Sequence, residues 1–219
     1  MTQISSAPAS RSDRRRTRTR GAIIAAGQTL FATRSLEGVS IDDIVAAADV
    51  AKGSFYNHFD DKEGLADAIV ELVQGDVEYH VFTANQDIED PAARVVRALG
   101  VVVKYALAHP DRVQAMVSLA KRRTDIAAPL NAGASHDVRR GLETGRFRGV
   151  SLQSGVLIIL GLIGVVIDHI AASTSADDAR SVVAEVGVAI LRALGVASDD
   201  ADETARAVTD TLPLPEFRP

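Results

Sequence analysis

The 219-residue sequence contains no cysteine. That excludes disulfide scaffolds, Cys-ligated zinc, iron–sulfur clusters and thiol nucleophiles, and it accords with a reducing, cytoplasmic setting. The five histidines, at 58, 80, 109, 136 and 169, show no i, i+4 pairing, so no metal site is expected. No nucleophile–base pair or phosphate loop is visible. His136-Asp137 and Asp168-His169 are sequence neighbours, which on a helix point to different faces and make poor dyads. The chain does not read as an enzyme, and no cofactor is implied. Long apolar runs are also missing. The longest, Val156 to Ile167, has twelve residues and would span about 18 Å as a helix, short of a roughly 30 Å hydrocarbon core. Asp168 and His169 close it, so it reads as a helix buried on all sides. Arg14-Arg15-Arg16 ahead of Gly21–Ala26 has the outline of a leader, but the run breaks at Gln28-Thr29 and Ile23, Ala26, Leu30 and Arg34 follow an amphipathic spacing. No membrane partner is expected.

What is present is globular in proportion: 47% hydrophobic and 24% charged residues, enough for one or two domains with a sizeable core. The net charge of −5, taken as a total, argues against a surface that grips nucleic acid everywhere. Helical periodicity runs from Asp13 almost to the end with no sustained period-two alternation, so the fold class is all-α. Residues 1–12 read as a disordered tail. A first helix has its core end at Leu30-Phe31, and Ser40-Ile41-Asp42-Asp43 caps a short second helix through Ala48. A turn at Asp49-Val50 leads to a third short helix from Ala51 to Asn57. Lys62 opens a longer helix reaching about Phe82, and Pro91 suits the first turn of the next, which stops before His109-Pro110. Helices around Asp111–Lys121 and Ala127–Thr144 follow, with Gly145 as a C-terminal cap. Ser151–Ala172 and Ala176–Leu194 are the most apolar helices, and the end holds a weak helix at Asp200–Thr211.

Three helices between Asp13 and Asn57, the last two short and tightly joined, make a helix-turn-helix arrangement. A short helix held steeply by its predecessor enters a DNA major groove about 12 Å wide. The third helix would display Lys52, Gly53, Ser54, Tyr56, Asn57 and His58, while Phe55 and Phe59, four apart, face inward.

Thr19-Arg20, Ile23, Ala26, Leu30-Phe31, Ser40-Ile41-x-x-Ile44, Ala47-x-x-Val50, Lys52-Gly53-Ser54-Phe55-Tyr56-x-His58-Phe59 and Lys62-Glu63-x-Leu65 together resemble the TetR-type transcriptional regulators. The resemblance implies an N-terminal DNA-binding domain over 13–62 with its motif at about 40–59. It also implies a larger helical ligand-binding and dimerisation domain over 63–197, and the residues that follow, 198–219, read as a C-terminal tail with a short helix. By that resemblance Ser40, Lys52, Tyr56, His58 and Lys62 would hold phosphates or the groove edge, and Gly53, Ser54 and Asn57 would face bases. Asn57 is the best candidate for bidentate adenine readout. Arg18 and Arg20 would follow the backbone or enter a minor groove. Asp49 stands where the family often has Gly, Ala51 where it has a Ser or Thr cap, and Ser35 where a Gly often ends the first helix.

Charge read by segment changes its meaning. Residues 1–34 carry seven arginines against Asp13, residues 35–65 carry Lys52 and Lys62 against seven acids, and the remainder is also acidic. Attraction to DNA would therefore come from the arginine-rich N-terminal stretch. In the second domain the resemblance implies a pocket, for which Tyr79, His80, Tyr105, His109, Arg139 and His169 are candidate polar groups. With 4% aromatic residues the lining would be Leu, Ile, Val and Ala, suited to an apolar or amphipathic effector. The two most apolar helices suggest a dimer interface through Leu157, Leu160, Gly161, Gly164, Val183 and Ile190. The functional expectation is a homodimeric repressor, released from a palindromic operator on double-stranded DNA by a small molecule. A regulator without small-molecule sensing, which a second domain lacking a cavity would mark, and an activator are the alternatives.

Overall fold

A computed structural model describes residues 11–119, 131–172 and 176–212. Among these residues there are ten helices and no strand. The predicted helix end at Lys121, the predicted helix start at Ala127 and the first ten residues of the expected tail lie outside them.

Helix α1 (Arg11–Thr33) starts inside the stretch expected to be a tail. Its burial begins only at Ile23, and Ile23, Gly27 and Phe31 recur every fourth residue toward the interior. Helix α2 (Ile41–Ala47) opens on a reciprocal capping box between Ser40 and Asp43. Asp49 takes φ 52°, the left-handed conformation that an Asp tolerates in a tight turn. Helix α3 (Lys52–Tyr56) has Ala51 at its N-cap and hence no side-chain cap. Helix α4 (Lys62–Ala84) is capped by Asp61, which accepts from the Gly64 N–H at 2.7 Å. Helix α5 (Pro91–Ala108) begins with Pro91 behind the Asp90 cap, and α6 (Pro110–Leu119) follows after a single residue. Helix α7 (Ala132–Glu143) is followed by Gly145 at φ 70°, as its sequence position suggested. Helices α8 (Leu152–Ala172) and α9 (Ala176–Ala193) precede α10 (Ser198–Thr211).

Two apolar cores result. The smaller joins Ile23 and Phe31 of α1, Ile44 of α2, Phe55 of α3 and Leu65 and Ile69 of α4, and it also takes Ala115 and Leu119 from α6. The larger is built from α5, α7, α8, α9 and α10 around Leu99, Val138, Ile159, Leu191 and Ala205. The C-terminal helix is thus no loose tail: Ala201, Ala205, Val208 and Leu212 are buried in that core. Arg146 fastens it, pairing with Asp200 of α10 and with the Asp90 cap of α5 at 2.9 Å.

Helix α8 is long and apolar enough to cross a membrane by length and composition, but Val156, Ile159, Ile167 and Ile170 pack into the core. It is not buried on all sides as its sequence suggested. Leu157 is 39% and Val165 65% exposed, with Gly161 between them.

Candidate nucleic-acid interface and ligand cavity

Phe55 and Phe59 anchor the helix-turn-helix unit by facing inward, both buried, with ring centroids 5.8 Å apart. Their burial turns the other side of α3 outward. Lys52, Gly53, Tyr56 and Asn57 are exposed and Ser54 is half-buried. Nothing lies within 4 Å of where a Cβ on Gly53 would stand, so its backbone is open to an approaching surface. His58 is half-buried, and burial, then the nearby Arg16 and Arg20, push its imidazole below the ordinary value, favouring the neutral form at pH 7.

The cations divide by what they already hold. Lys52 Nζ lies 2.7 Å from Asp42 Oδ1, both side chains exposed, so a phosphate competes there with a solvated pair. Lys62 Nζ instead donates to the carbonyls of Leu36 at 2.8 Å and Val39 at 3.3 Å. These bonds fasten the α1–α2 loop to α4. Ser40 is similarly engaged: its N–H and hydroxyl both donate to Asp43 Oδ2, and its oxygen accepts from the Asp43 N–H. An acid therefore stands where a phosphate would meet this helix start. Arg20 lies over the Phe59 ring at 5.2 Å. Arg11, Arg14, Arg15, Arg16 and Arg18 are exposed on α1 ahead of its buried part.

The second site is a cavity of about 380 Å³, toward the small end of the roughly 300–1,000 Å³ usual for small-molecule sites. It is walled by Val77 and Val81 of α4, Val95 and Val102 of α5, Met116 of α6 and Ile163 of α8, with Ala132 and Gly133 of α7 at one end. Of the six expected polar groups only Tyr105 lines it. Tyr79 is 65% exposed. His80, Arg139 and His169 are also exposed, and His109 is half-buried as the cap of α5, its ring 4.8 Å from Tyr105. The polar groups that do line the cavity include Gln74, Glu78, Arg94 and Asp137. Glu78 was legible in principle, because it shares a helical face with Gln74, Val77 and Val81 at spacings of three and four. Arg94 Nε donates to Asp137 Oδ1 at 2.5 Å, a pairing across 43 residues that no local pattern announces.

The two sites share walls. Leu65, Ala66 and Ile69 of α4 lie in the smaller core while Gln74, Val77, Glu78 and Val81 face the cavity. On α6, Ala115 and Leu119 enter the smaller core and Val113 and Met116 the cavity. Asp76 bridges the helices, accepting from the Tyr105 hydroxyl at 3.0 Å and from Arg112 at 3.4 Å. Of the expected interface residues, Val183 and Ile190 are fully buried within the chain, and Leu160 and Gly164 border the cavity. Leu157 and Gly161 remain on the outer face.

Known proteins show the same two-part pattern. The sequence pattern of bacterial regulatory proteins of the tetR family matches residues 23–69, and that of the tetracyclin repressor-like C-terminal domain matches residues 90–207. The HTH-type transcriptional repressor DhaR of Mycobacterium sp. (strain GP1) is 34% identical over 79 residues, 36% of this chain and 40% of that protein. The HTH-type transcriptional repressor KstR2 of Rhodococcus jostii (strain RHA1) is 48% identical over 42 residues, 19% of this chain and 21% of that protein. The chain thus matches less than half the length of these curated relatives. Among solved structures, RolR in complex with resorcinol superposes with a TM-score of 0.60 at 25% identity, covering 93% of this chain and 98% of that one. A tetR-family regulatory protein from Rhodococcus RHA1 gives a TM-score of 0.66 at 21% identity over 82% of this chain and 98% of its own, a likeness of fold. With the outward-turned α3 inside one matched region and nearly all of α5 to α10 inside the other, the chain belongs to the TetR family of bacterial regulatory proteins.

Proposed function

We propose that the protein is a transcriptional repressor that binds a palindromic operator as a homodimer and leaves it when a small, mainly apolar effector fills the cavity. The observation that carries this reading is the double membership of α4 and α6, each with one part in the reading-head core and another in the cavity wall. Helix α6 runs beside α4, so the two act as levers together. An effector that spreads these helices shifts the head, and a shift of a few ångströms spoils simultaneous fit to half-sites one helical turn apart. The effector must prefer the non-binding state, since equal affinity for both shifts nothing. The RolR structure holds its resorcinol in a protein of the same architecture, and a cavity in the second domain counts against a regulator without sensing.

On DNA, Gly53, Ser54 and Asn57 face the bases, with Lys52, Tyr56, Arg18 and Arg20 on the phosphates. Lys62 acts indirectly by holding the loop that carries Ser40. The homodimer forms through the outer face of α8, where Leu157, Gly161 and Val165 are available to a second copy. Such a protein works in the cytoplasm and needs no membrane. The test is selection of bound sequences from random DNA by the full chain. An enriched inverted repeat with half-sites about one helical turn apart is expected; a pool with no enriched motif overturns the reading.

A further inference from the structure

Arg94, Tyr105 and Asp137 on the cavity wall are engaged within the chain. Arg94 donates to Asp137 and to the carbonyls of Asn85 and Ile88, and the Tyr105 hydroxyl donates to Asp76. Glu78 differs. It lines the cavity from α4, and its Oε1 is buried without a hydrogen-bond partner. A buried carboxyl oxygen left unpaired is unfavourable, and proteins keep such groups rarely.

We propose that the cavity takes an uncharged, largely apolar molecule bearing a hydroxyl group, which donates its hydrogen bond to the Glu78 carboxyl. This rests on reading the cavity as the effector site, and it names the chemistry the effector carries there. Arg94 and Asp137 offset each other in charge, so Glu78 decides the charge of the ligand. Burial pushes its carboxyl up from the ordinary value, toward the neutral form. An ammonium group requires Glu78 ionised, which its burial disfavours. An anion meets two carboxyl groups and an arginine already engaged. A hydrocarbon leaves Oε1 as it is. A cavity of about 380 Å³ suits a single ring or a short chain.

The experiment is calorimetric titration of the full chain with four probes of similar size: resorcinol, toluene, benzoate and benzylamine. Resorcinol is expected to bind at least tenfold more tightly than each of the others, the order of effect of one buried hydrogen bond to a carboxyl. Glu78→Leu brings resorcinol down at least tenfold, toward the toluene level. Glu78→Gln keeps an acceptor oxygen, so it holds resorcinol within about threefold of the parent and admits benzoate more readily. Circular dichroism confirms that each variant is folded, and the Gln variant serves alone if the Leu variant is not. Benzoate or benzylamine binding as tightly as resorcinol, absence of resorcinol binding, or a Glu78→Leu protein with unchanged resorcinol affinity overturns the proposal. Resorcinol that binds in the expected pattern without altering operator affinity supports the assignment of Glu78 and contradicts the regulatory reading instead.

Discussion

Lys52 opens α3 and Lys62 opens α4, and their surroundings give them different work. Lys62→Met removes two charge-assisted hydrogen bonds to the carbonyls of Leu36 and Val39, which costs about 2 kcal/mol and roughly 4–8 °C in thermal midpoint. Lys52→Ala leaves the midpoint unchanged, because its pair with Asp42 is exposed, but lowers the salt slope of operator binding by about 1. Thermal unfolding and salt titrations of both variants separate the roles; a Lys62 variant as stable as the parent would remove the structural one. Arg94 and Asp137 offer a second contrast. Burial holds Asp137 above the ordinary carboxylate range even with Arg94 attached. In Arg94→Met the orphaned carboxyl rises further, so the folded state holds its proton more tightly than the unfolded chain, and stability falls as pH rises through the native pKa. The variant is expected to be destabilised by about 3 kcal/mol at pH 8 and clearly less at pH 5, read from denaturant midpoints at the two pH values. Neither pairing was visible in the sequence. The Ser40–Asp43 box and the Asp49 turn were, because their partners lie within three residues or in the backbone itself, whereas Lys62 reaches back 26 residues and Arg94 forward 43.

The helices were legible where polarity repeats on one face and was cut by caps and prolines, so α2, α4 and α5 start where Ser40, Asp61 and Asp90 place them. What periodicity lacks is the neighbour. It showed α8 as apolar throughout without saying that Val165 would stay outside, and it could not say that a pocket would meet Val77, Glu78 and Val81 of α4 rather than the candidates Tyr79 and His80. The start of α1 illustrates the reverse case. Arg11 and Arg15, Arg14 and Arg18, and Arg16 and Arg20 are i, i+4 pairs of like charge on an exposed helical stretch, which mutual repulsion weakens. A polyanion relieves that repulsion. Deleting residues 1–16 is expected to weaken operator binding and lower its salt slope by about 0.9 for each phosphate that is no longer neutralised. An unchanged slope in the truncated protein would leave these arginines without a role on DNA.

At the scale of the whole molecule, −5 is a sum of unlike parts: a basic first helix, an acidic motif whose lysine is already paired, and an acidic second domain. Under the proposed function, specificity rests on a few side chains at the tip of α3, and two copies hold the operator. Val165→Glu on the outer face of α8 is expected to yield a folded monomer by light scattering, with operator affinity reduced by more than tenfold. The proposed coupling through α4 and α6 has a reciprocal consequence: whatever factor the effector takes from operator binding, the operator takes from effector binding. The most direct measurement is therefore a titration of effector, with resorcinol as first probe, into the protein alone and into the protein–operator complex. Regulation through the cavity predicts at least tenfold weaker binding to the complex, matched by the same drop in operator affinity at saturating effector. Equal affinity in the two titrations would contradict it.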